Sequence, residues 1–248
     1  TYAREPFDKP AMIAGFKVLA ELPLDRTYTL GFRLIAMTER YRQTADAWNR
    51  LVEVKRGETV LLANTYDGLG RRARRTQDPA TSDIDHGYYY NASWQVLEVR
   101  KDQDADPLKR YIWGARYIDE PVCRFLDEDV DGTVDQTVYY VTDANFNVTA
   151  LVEDHSGTAY IVERYAYDPY GRVRVLHGDK DATGADTSGS EWQPRTSDTF
   201  ENEILYCGYR FDRLGDADGT TGELRGLYCS RYRVYDPRMG RWVHRDPI

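Results

Sequence analysis

Hydrophobic and polar positions alternate along most of the chain, and short polar phrases interrupt the alternation at regular intervals. Leu51-Val52-Glu53-Val54 alternates, Lys55-Arg56-Gly57-Glu58 turns, and Thr59 to Tyr66 returns in strand-forming residues. The plan recurs over 148–175. Val148 to Val152 predicts a strand, Ser156-Gly157 a turn, and Ile161 to Tyr167 the return, with Tyr165 and Tyr167 on one face. Asp168-Pro169-Tyr170-Gly171 then turns and Arg172 to Val175 alternates again. Period-two segments separated by turn residues predict a continuous antiparallel meander.

The interruptions share a wording. Tyr66-Asp67-Gly68-Leu69-Gly70-Arg71 returns as Tyr167-Asp168-Pro169-Tyr170-Gly171-Arg172 and as Tyr235-Asp236-Pro237-Arg238-Met239-Gly240-Arg241. Degenerate copies begin at Asp46, Asn91, Asp143 and Asp212. Asp bonds its own backbone two residues on and Gly supplies a positive φ, so each phrase reads as a turn. Four of the six gaps between neighbouring copies are ~21–25 residues, a spacing that marks a repeat architecture. The longer gap between Asn91 and Asp143 leaves room for a unit near Tyr111-Ile112-Trp113-Gly114. A unit of ~22 residues predicts two strands of roughly 30 Å. Aromatic cross-strand pairs contribute about 0.2–1 kcal/mol each, so repeated Tyr is expected to hold a sheet with little conventional core.

These elements divide the chain into a lead-in over 1–45, read as an earlier divergent repeat, hairpins over 46–177, a polar loop insertion over 178–200, and a last segment over 201–248. The lead-in carries Pro6, Pro10 and Pro23 without a turn phrase, and Leu30 to Tyr41 stays open between helix and strand.

Composition narrows the function. Among 248 residues, 20 are Tyr and 7 are Phe, which suits half-wet β surfaces. A formal charge of −8 argues against nucleic acid as a partner, because phosphate binding needs a basic surface. The basic cluster Arg71, Arg72, Arg74 and Arg75 is expected to line a solvated strand face. No apolar run approaches the ~18 residues of a membrane span. The chain opens on Thr1 without a signal peptide and reads as a fragment. Three cysteines make no disulfide scaffold, so free, buried thiols are expected.

One acidic stretch falls outside the rhythm. Asp127, Asp129, Asp131 and Asp135 occupy positions 1, 3, 5 and 9 of a Ca²⁺-type loop, with Gly132 at 6 and the Thr133 carbonyl at 7. Position 12 is Val138, where such loops carry a bidentate Glu, and the flanks read as strands. The pattern predicts Ca²⁺ at these five residues; a solvated acidic hairpin turn is the alternative. Asp102, Asp104 and Asp106 alternate too, but Pro107 stands where the bend needs Gly, and Asp216-Ala217-Asp218-Gly219 is shorter still. His86, His155, His177 and His244 lack metal-ligand spacing. The sequons at Asn91 and Asn147 fall inside turn phrases. No nucleophile-elbow, zinc-protease or phosphate-loop pattern occurs.

The phrases at 66–71, 167–172 and 235–241 resemble the YD repeats of the Rhs family. The tail from Gly226 to Ile248, with Arg233-Val234-Tyr235-Asp236-Pro237 and Gly240-Arg241-Trp242 before Arg245-Asp246-Pro247-Ile248, resembles the opening of the Rhs repeat-associated core domain. The repeat resemblance covers about 46–248. It implies an all-β fold of repeated long antiparallel β-hairpins forming part of a spiralling hollow β-shell. In toxin members such a shell encloses a C-terminal effector, and the core domain cleaves itself using aspartates near the motif that Asp246 occupies. The chain stops before the cleavage region of that pattern, so Asp246 is a weak catalytic candidate and reads first as a turn residue. The expected function is a non-enzymatic shell segment that encapsulates or presents an effector. The alternatives are a surface adhesive module with Ca²⁺-stabilised loops and an incomplete self-cleaving aspartyl core. Expected partners are further repeats or another β-rich subunit at an exposed sheet edge, with an enclosed effector and no nucleic acid or membrane span. The implied address is bacterial, secreted or at the cell surface.

Overall fold

The computed structural model describes residues 41–77, 84–102, 104–180, 185, 187, 189–195, 200–215, 218 and 220–244. The chain forms two compact units. One is Thr1–Arg42 with Arg56–Glu58, of which 41–42 and 56–58 are described. The other is Gln43–Lys55 with Thr59–Ile248.

The alternating segments form strands. They are β1 (Tyr41–Ala45), β2 (Leu51–Arg56), β3 (Thr59–Tyr66), β4 (Arg72–Gln77), β5 (Ile84–Tyr90), β6 (Val96–Lys101), β7 (Lys109–Trp113), β8 (Pro121–Leu126), β9 (Gln136–Thr142), β10 (Val148–His155), β11 (Thr158–Tyr167) and β12 (Val173–His177). They make one twelve-stranded sheet in strict chain order. A second sheet joins β13 (Arg210–Arg213), β14 (Gly226–Ser230), β15 (Arg233–Asp236) and β16 (Arg241–Trp242). Among the described residues there is no α-helix. The fold is therefore all-β and built of hairpins. The unit expected near Tyr111 is present as β7 and β8. Strands of the large sheet run from 5 to 10 residues, about 17–34 Å, so most fall short of the expected length because the turns consume chain.

Five turn phrases share one geometry. In each, the leading Asp or Asn closes a backbone ring with the residue four positions on, and the residue three on bonds back to it: Asp67 N to Arg71 O at 2.9 Å and Gly70 N to Asp67 O at 3.0 Å, with equivalents at Asp46, Asn91, Asp143 and Asp168. The leading side chain accepts from the backbone two and four residues on, as Asp67 does from Leu69 N and Arg71 N, both at 2.9 Å. The third following residue is left-handed in all five: Asn49, Gly70, Trp94, Phe146 and Gly171. This is the three-residue hairpin with an αL bulge position.

The sequence reading missed the closing residue. Arg50, Arg71 and Arg172 each return a guanidinium to the second oxygen of the leading Asp, at 2.7, 2.7 and 2.6 Å. Asn147 Nδ2 donates in the same way to Asp143 Oδ2, whereas at Gln95 the direction reverses and Asn91 Nδ2 donates to Gln95 Oε1, both at 2.7 Å. The aromatic that ends the strand before a turn has its own task. Tyr66 OH donates to Leu51 O, Tyr90 OH to Arg72 O, Trp113 Nε1 to Val96 O and Tyr167 OH to Val148 O, at 2.6–2.9 Å. Each reaches the strand that leaves an earlier turn, so neighbouring hairpins are fastened at one rim of the sheet.

Two phrases depart from this geometry. Asp236 heads a loop one residue longer and accepts from Arg238 N and Met239 N at 2.8 and 3.2 Å. Asp212 heads no turn. It lies in β13 with its carboxylate fully buried.

A conventional core also exists, contrary to expectation. Val99, Tyr111, Val138, Leu151, Val162 and Val175 from the large sheet bury against Phe200, Ile204, Leu205, Phe211, Leu224 and Tyr228. Each such side chain is worth about 1.5–3 kcal/mol, more than a cross-strand aromatic pair. The later segment also covers the β12 edge: Val175 N donates to Gly222 O at 2.8 Å, Arg195 N to Val175 O at 2.9 Å and Leu224 N to Val173 O at 3.0 Å. It further clasps the 168–172 turn, where Tyr228 OH donates to Gly171 O at 2.8 Å and Tyr235 OH to Tyr170 O at 2.9 Å.

Candidate functional site

The acidic loop bridges β8 and β9, as its flanks predicted. Oxygens of Asp127, Asp129 and Asp135 lie within 4.8 Å of one another. Asp131 is not among them, and its carboxylate accepts from Thr133 N at 2.7 Å. Asp127 accepts from Asp131 N and Gly132 N at 3.1 and 2.9 Å, and Asp135 from Glu128 N at 2.7 Å. Val138, at position 12, is fully buried in the core, which explains why no bidentate Glu stands there. The structure thus gathers three of the four predicted carboxylates and satisfies several of their oxygens from the loop backbone. Asp246 lies outside the described residues, as do Asp216 and Gly219.

The strongest concentration of interior charge lies elsewhere, between the large sheet and the segment that follows Phe200. The expectation of a solvated face at Arg71, Arg72, Arg74 and Arg75 fails for Arg72 and Arg75, which are 8% and 2% exposed. The β3–β4 register shifts where Ala73 is the extra residue, between the Thr65–Arg74 and Tyr66–Arg72 pairs. Such a bulge re-aims side chains, and it lets Arg72 and Arg75, three apart, share the inner face. Arg72 Nη1 lies 2.5 Å from Asp212 Oδ2, and Arg75 Nη1 lies 3.2 Å from Oδ1. Arg75 Nη2 reaches Glu203 at 2.6 Å, Arg210 pairs with the other Glu203 oxygen, and Lys109 Nζ stands 4.0 Å away. Tyr88 and Tyr111 flank Arg210, each ring centre 5.2 Å from its guanidinium carbon.

Burial alone would push the Glu203 carboxyl up, but Arg75, Lys109 and Arg210 outweigh it and hold the group well below the usual range. Asp212 shows the same contest, won by Arg72 and Arg75. His86, with Nδ1 at 2.9 Å from Arg75 Nη2, is driven down to about 4 by burial and by Arg75. The Cys229 thiol donates to Asp212 at 2.9 Å, and burial together with that carboxylate pushes it far up, away from thiolate chemistry. All three cysteines are free. These acids are held ionised by arginines from distant strands, an arrangement suited to locking two segments together. Sequence reasoning missed Glu203 and Arg210 entirely, and no local signal marks either.

The sequons are also explained. Asn91 and Asn147 spend their side chains inside turns, and Asn147 additionally accepts from Cys207 N at 2.9 Å. Among the described residues no helix is long and apolar enough to cross a membrane.

No family model matches the chain. The tRNA3(Ser)-specific nuclease WapA of Bacillus spizizenii is 24% identical over 248 residues, covering 80% of this chain and 10% of that protein. The tRNA nuclease WapA of Bacillus subtilis is 24% identical over 245 residues, with the same coverage of 80% and 10%. The chain spans about a tenth of the length of these curated relatives. Among solved structures, TcdB2-TccC3 matches with a TM-score of 0.48 and 20% identity, over 84% of this chain and 9% of that one. The Photorhabdus luminescens Tc holotoxin pore matches with a TM-score of 0.46 and 18% identity, over 82% and 9%.

Proposed function

We propose, for a chain that belongs to the Rhs/YD-repeat proteins, a structural role as one stretch of a β-shell wall that encloses or presents an effector carried elsewhere in the longer protein. The observation that carries this reading is the strict chain order of twelve consecutive antiparallel strands in one sheet. Each hairpin is laid beside its predecessor and fastened to it at the rim, so the wall can lengthen by addition. The β12 edge is covered by the chain itself, while β1 pairs only with β2 among the described residues. An unpaired strand edge invites further strands, and on this reading the partner at β1 is a further repeat of the same protein or another β-rich subunit. The acids of the interior cluster are held charged by their partners, which supports a clamp rather than a proton-transfer site. On this reading the segment is not itself an enzyme, and the tRNA cleavage named for the WapA relatives would reside outside the tenth of their length that this chain matches. A secreted or cell-surface address follows from the same reading.

The test is limited proteolysis of the full-length protein. The downstream domain should resist protease while the wall is folded and become cleavable once Asp212→Ala loosens it. Digestion of that domain at the rate of its isolated form, in the intact protein, would defeat the proposal.

The convergence of Asp127, Asp129 and Asp135 favours a second reading, a surface module whose loop is stabilised by Ca²⁺. Calorimetry should then show Ca²⁺ heat that disappears in Asp129→Ala/Asp135→Ala. Indistinguishable traces would remove the ion from the account.

A further inference from the structure

A cavity of about 90 Å³ opens at the rim of the large sheet, between the 67–71 and 91–95 turns and the hairpin that joins β14 to β15. Its lining includes Arg50, Arg71, Arg72, Arg210, Arg231 and Arg233, against one carboxylate, Asp119. In a chain of net charge −8 this is an inversion of sign. Four of the acids that pair with these arginines, Asp46, Asp67, Asp212 and Glu203, stand outside the lining. Each neutralises its arginine from behind and leaves the cavity side of the wall positive.

Arg72 decides the chemistry. It is 8% exposed, and Nη1 is committed to Asp212 at 2.5 Å and to Cys229 Sγ at 3.4 Å. Its Nε and Nη2 make no hydrogen bond among the described residues, and Arg72 lines the cavity. Those two N–H groups lie along one edge of the guanidinium, the fork that matches the two oxygens of a carboxylate. Asp212 fixes the plane of the guanidinium, so the fork is preorganised. The remaining wall is aromatic. Trp94 and Tyr232 close one side with ring centres 4.5 Å apart, and Trp113 is held by its bond to Val96 O at 2.7 Å. Arg231 is tied to Asp119, with both carboxylate oxygens at 3.1 Å. A water needs about 10–15 Å³ of such space, so the cavity has room for several waters or for a carboxylate with a short methylene stem.

We propose that this cavity is a carboxylate-binding site, in which the Nε/Nη2 edge of Arg72 grips the two oxygens and the aromatic wall takes the stem. The carboxylate is either a small free acid or an acidic side chain carried by a polypeptide. The site is independent of the shell reading and survives its failure.

Trp94 and Trp113 supply the readout. Acetate, titrated at constant ionic strength against chloride, should change the tryptophan fluorescence of the whole chain saturably, whereas acetamide, its neutral isostere, should not. N-acetyl-aspartate amide separates the sources: tighter binding than acetate identifies an acidic side chain, and acetate binding alone identifies a small free acid. Arg72→Lys keeps a charge opposite Asp212 but removes the fork, and should weaken acetate at least tenfold. Should that variant fail to fold, the contrast of acetate with acetamide on the unaltered chain decides by itself. The proposal is overturned by an unsaturable acetate response, by acetamide equalling acetate, by a folded Arg72→Lys that binds as before, or by inorganic phosphate binding more tightly than either carboxylate.

Discussion

Arg72 and Asp212 are 140 residues apart in the chain and meet at 2.5 Å in the interior, where Arg75 takes the second oxygen of the same carboxylate. One fully buried acid thus joins β4 to β13, and with them the large sheet to the small one. A buried ion pair is weak evidence of net stability, because both partners have lost water. Breaking it from one side is another matter.

Asp212→Ala should therefore destabilise by about 3–5 kcal/mol, since it strands two buried guanidiniums. Denaturant unfolding of Asp212→Ala, Arg72→Met and the double variant checks this. The double variant should lose less than the sum of the singles, because each deletion alone leaves the other charge unpaired. Additive losses would mean the pair is not coupled.

The repeated turn makes a second expectation, at the left-handed position. Gly70 and Gly171 both hold φ of +80° to +85°. A Cβ at Gly70 meets nothing nearer than 3.7 Å, whereas one at Gly171 would stand 2.8 Å from the Tyr206 ring. Gly70→Ala should cost about 1–2 kcal/mol from backbone conformation alone. Gly171→Ala should cost at least about 1 kcal/mol more, since the ring must also move. Equal losses in melting experiments would show that the 168–172 turn is not clasped.

Tyr167→Phe tests the rim fastening. The hydroxyl donates to Val148 O at 2.6 Å, and its loss leaves a buried carbonyl with one bond fewer. The expected cost is about 1–2 kcal/mol. Tyr170→Phe is the control: the Tyr170 ring is exposed at a turn tip and its hydroxyl is not part of the fastening. Comparable losses for the two would deny the ladder its role.

Acid should weaken the fold in two stages. His86 faces Arg75, Glu203, Lys109 and Arg210 and stays neutral in the fold down to about 4. In the unfolded chain an ordinary His takes its proton near 6.5, so between those values the unfolded state binds more protons. Stability should fall by roughly 1–3 kcal/mol as pH drops through that window. Below the ordinary carboxylate range, Asp212 and Glu203 add a second loss, because their depressed carboxyls protonate more readily once unfolded. His86→Gln should flatten the first stage and leave the second. A first stage of unchanged slope in that variant would assign it to another group.

The legible part of this protein was whatever closes within a few residues. Thr59 to Tyr66 forms β3 as its alternation predicts, and Asp67, Asp168 and their counterparts turn the chain because the acceptor, the donors and the left-handed residue all lie within one phrase. At Ser156 and Gly157 both residues take positive φ, so the hairpin is tighter than the sequence suggests and its strands run on to His155 and from Thr158. Asp212 shows where such reading ends. Its phrase, Phe211-Asp212-Arg213-Leu214-Gly215, has the wording of a turn, yet two arginines from β4 take the carboxylate and the backbone stays extended. The acidic loop stands between the two: its bend was legible, but the distribution of four carboxylates between a common centre and the local backbone was not.

The sequence by itself determined the repeat, the rim turns and the all-β class, because those follow from period-two alternation and from hydrogen bonds spanning four residues. Only the tertiary structure decided which charges are interior. Arg72, Arg75, Asp212 and Glu203 carry no local mark distinguishing them from solvated neighbours; a bulge at Ala73 and the packing of the later segment bring them together. The cost of burying an ion depends on its partner across the fold, and that partner is more than a hundred residues away.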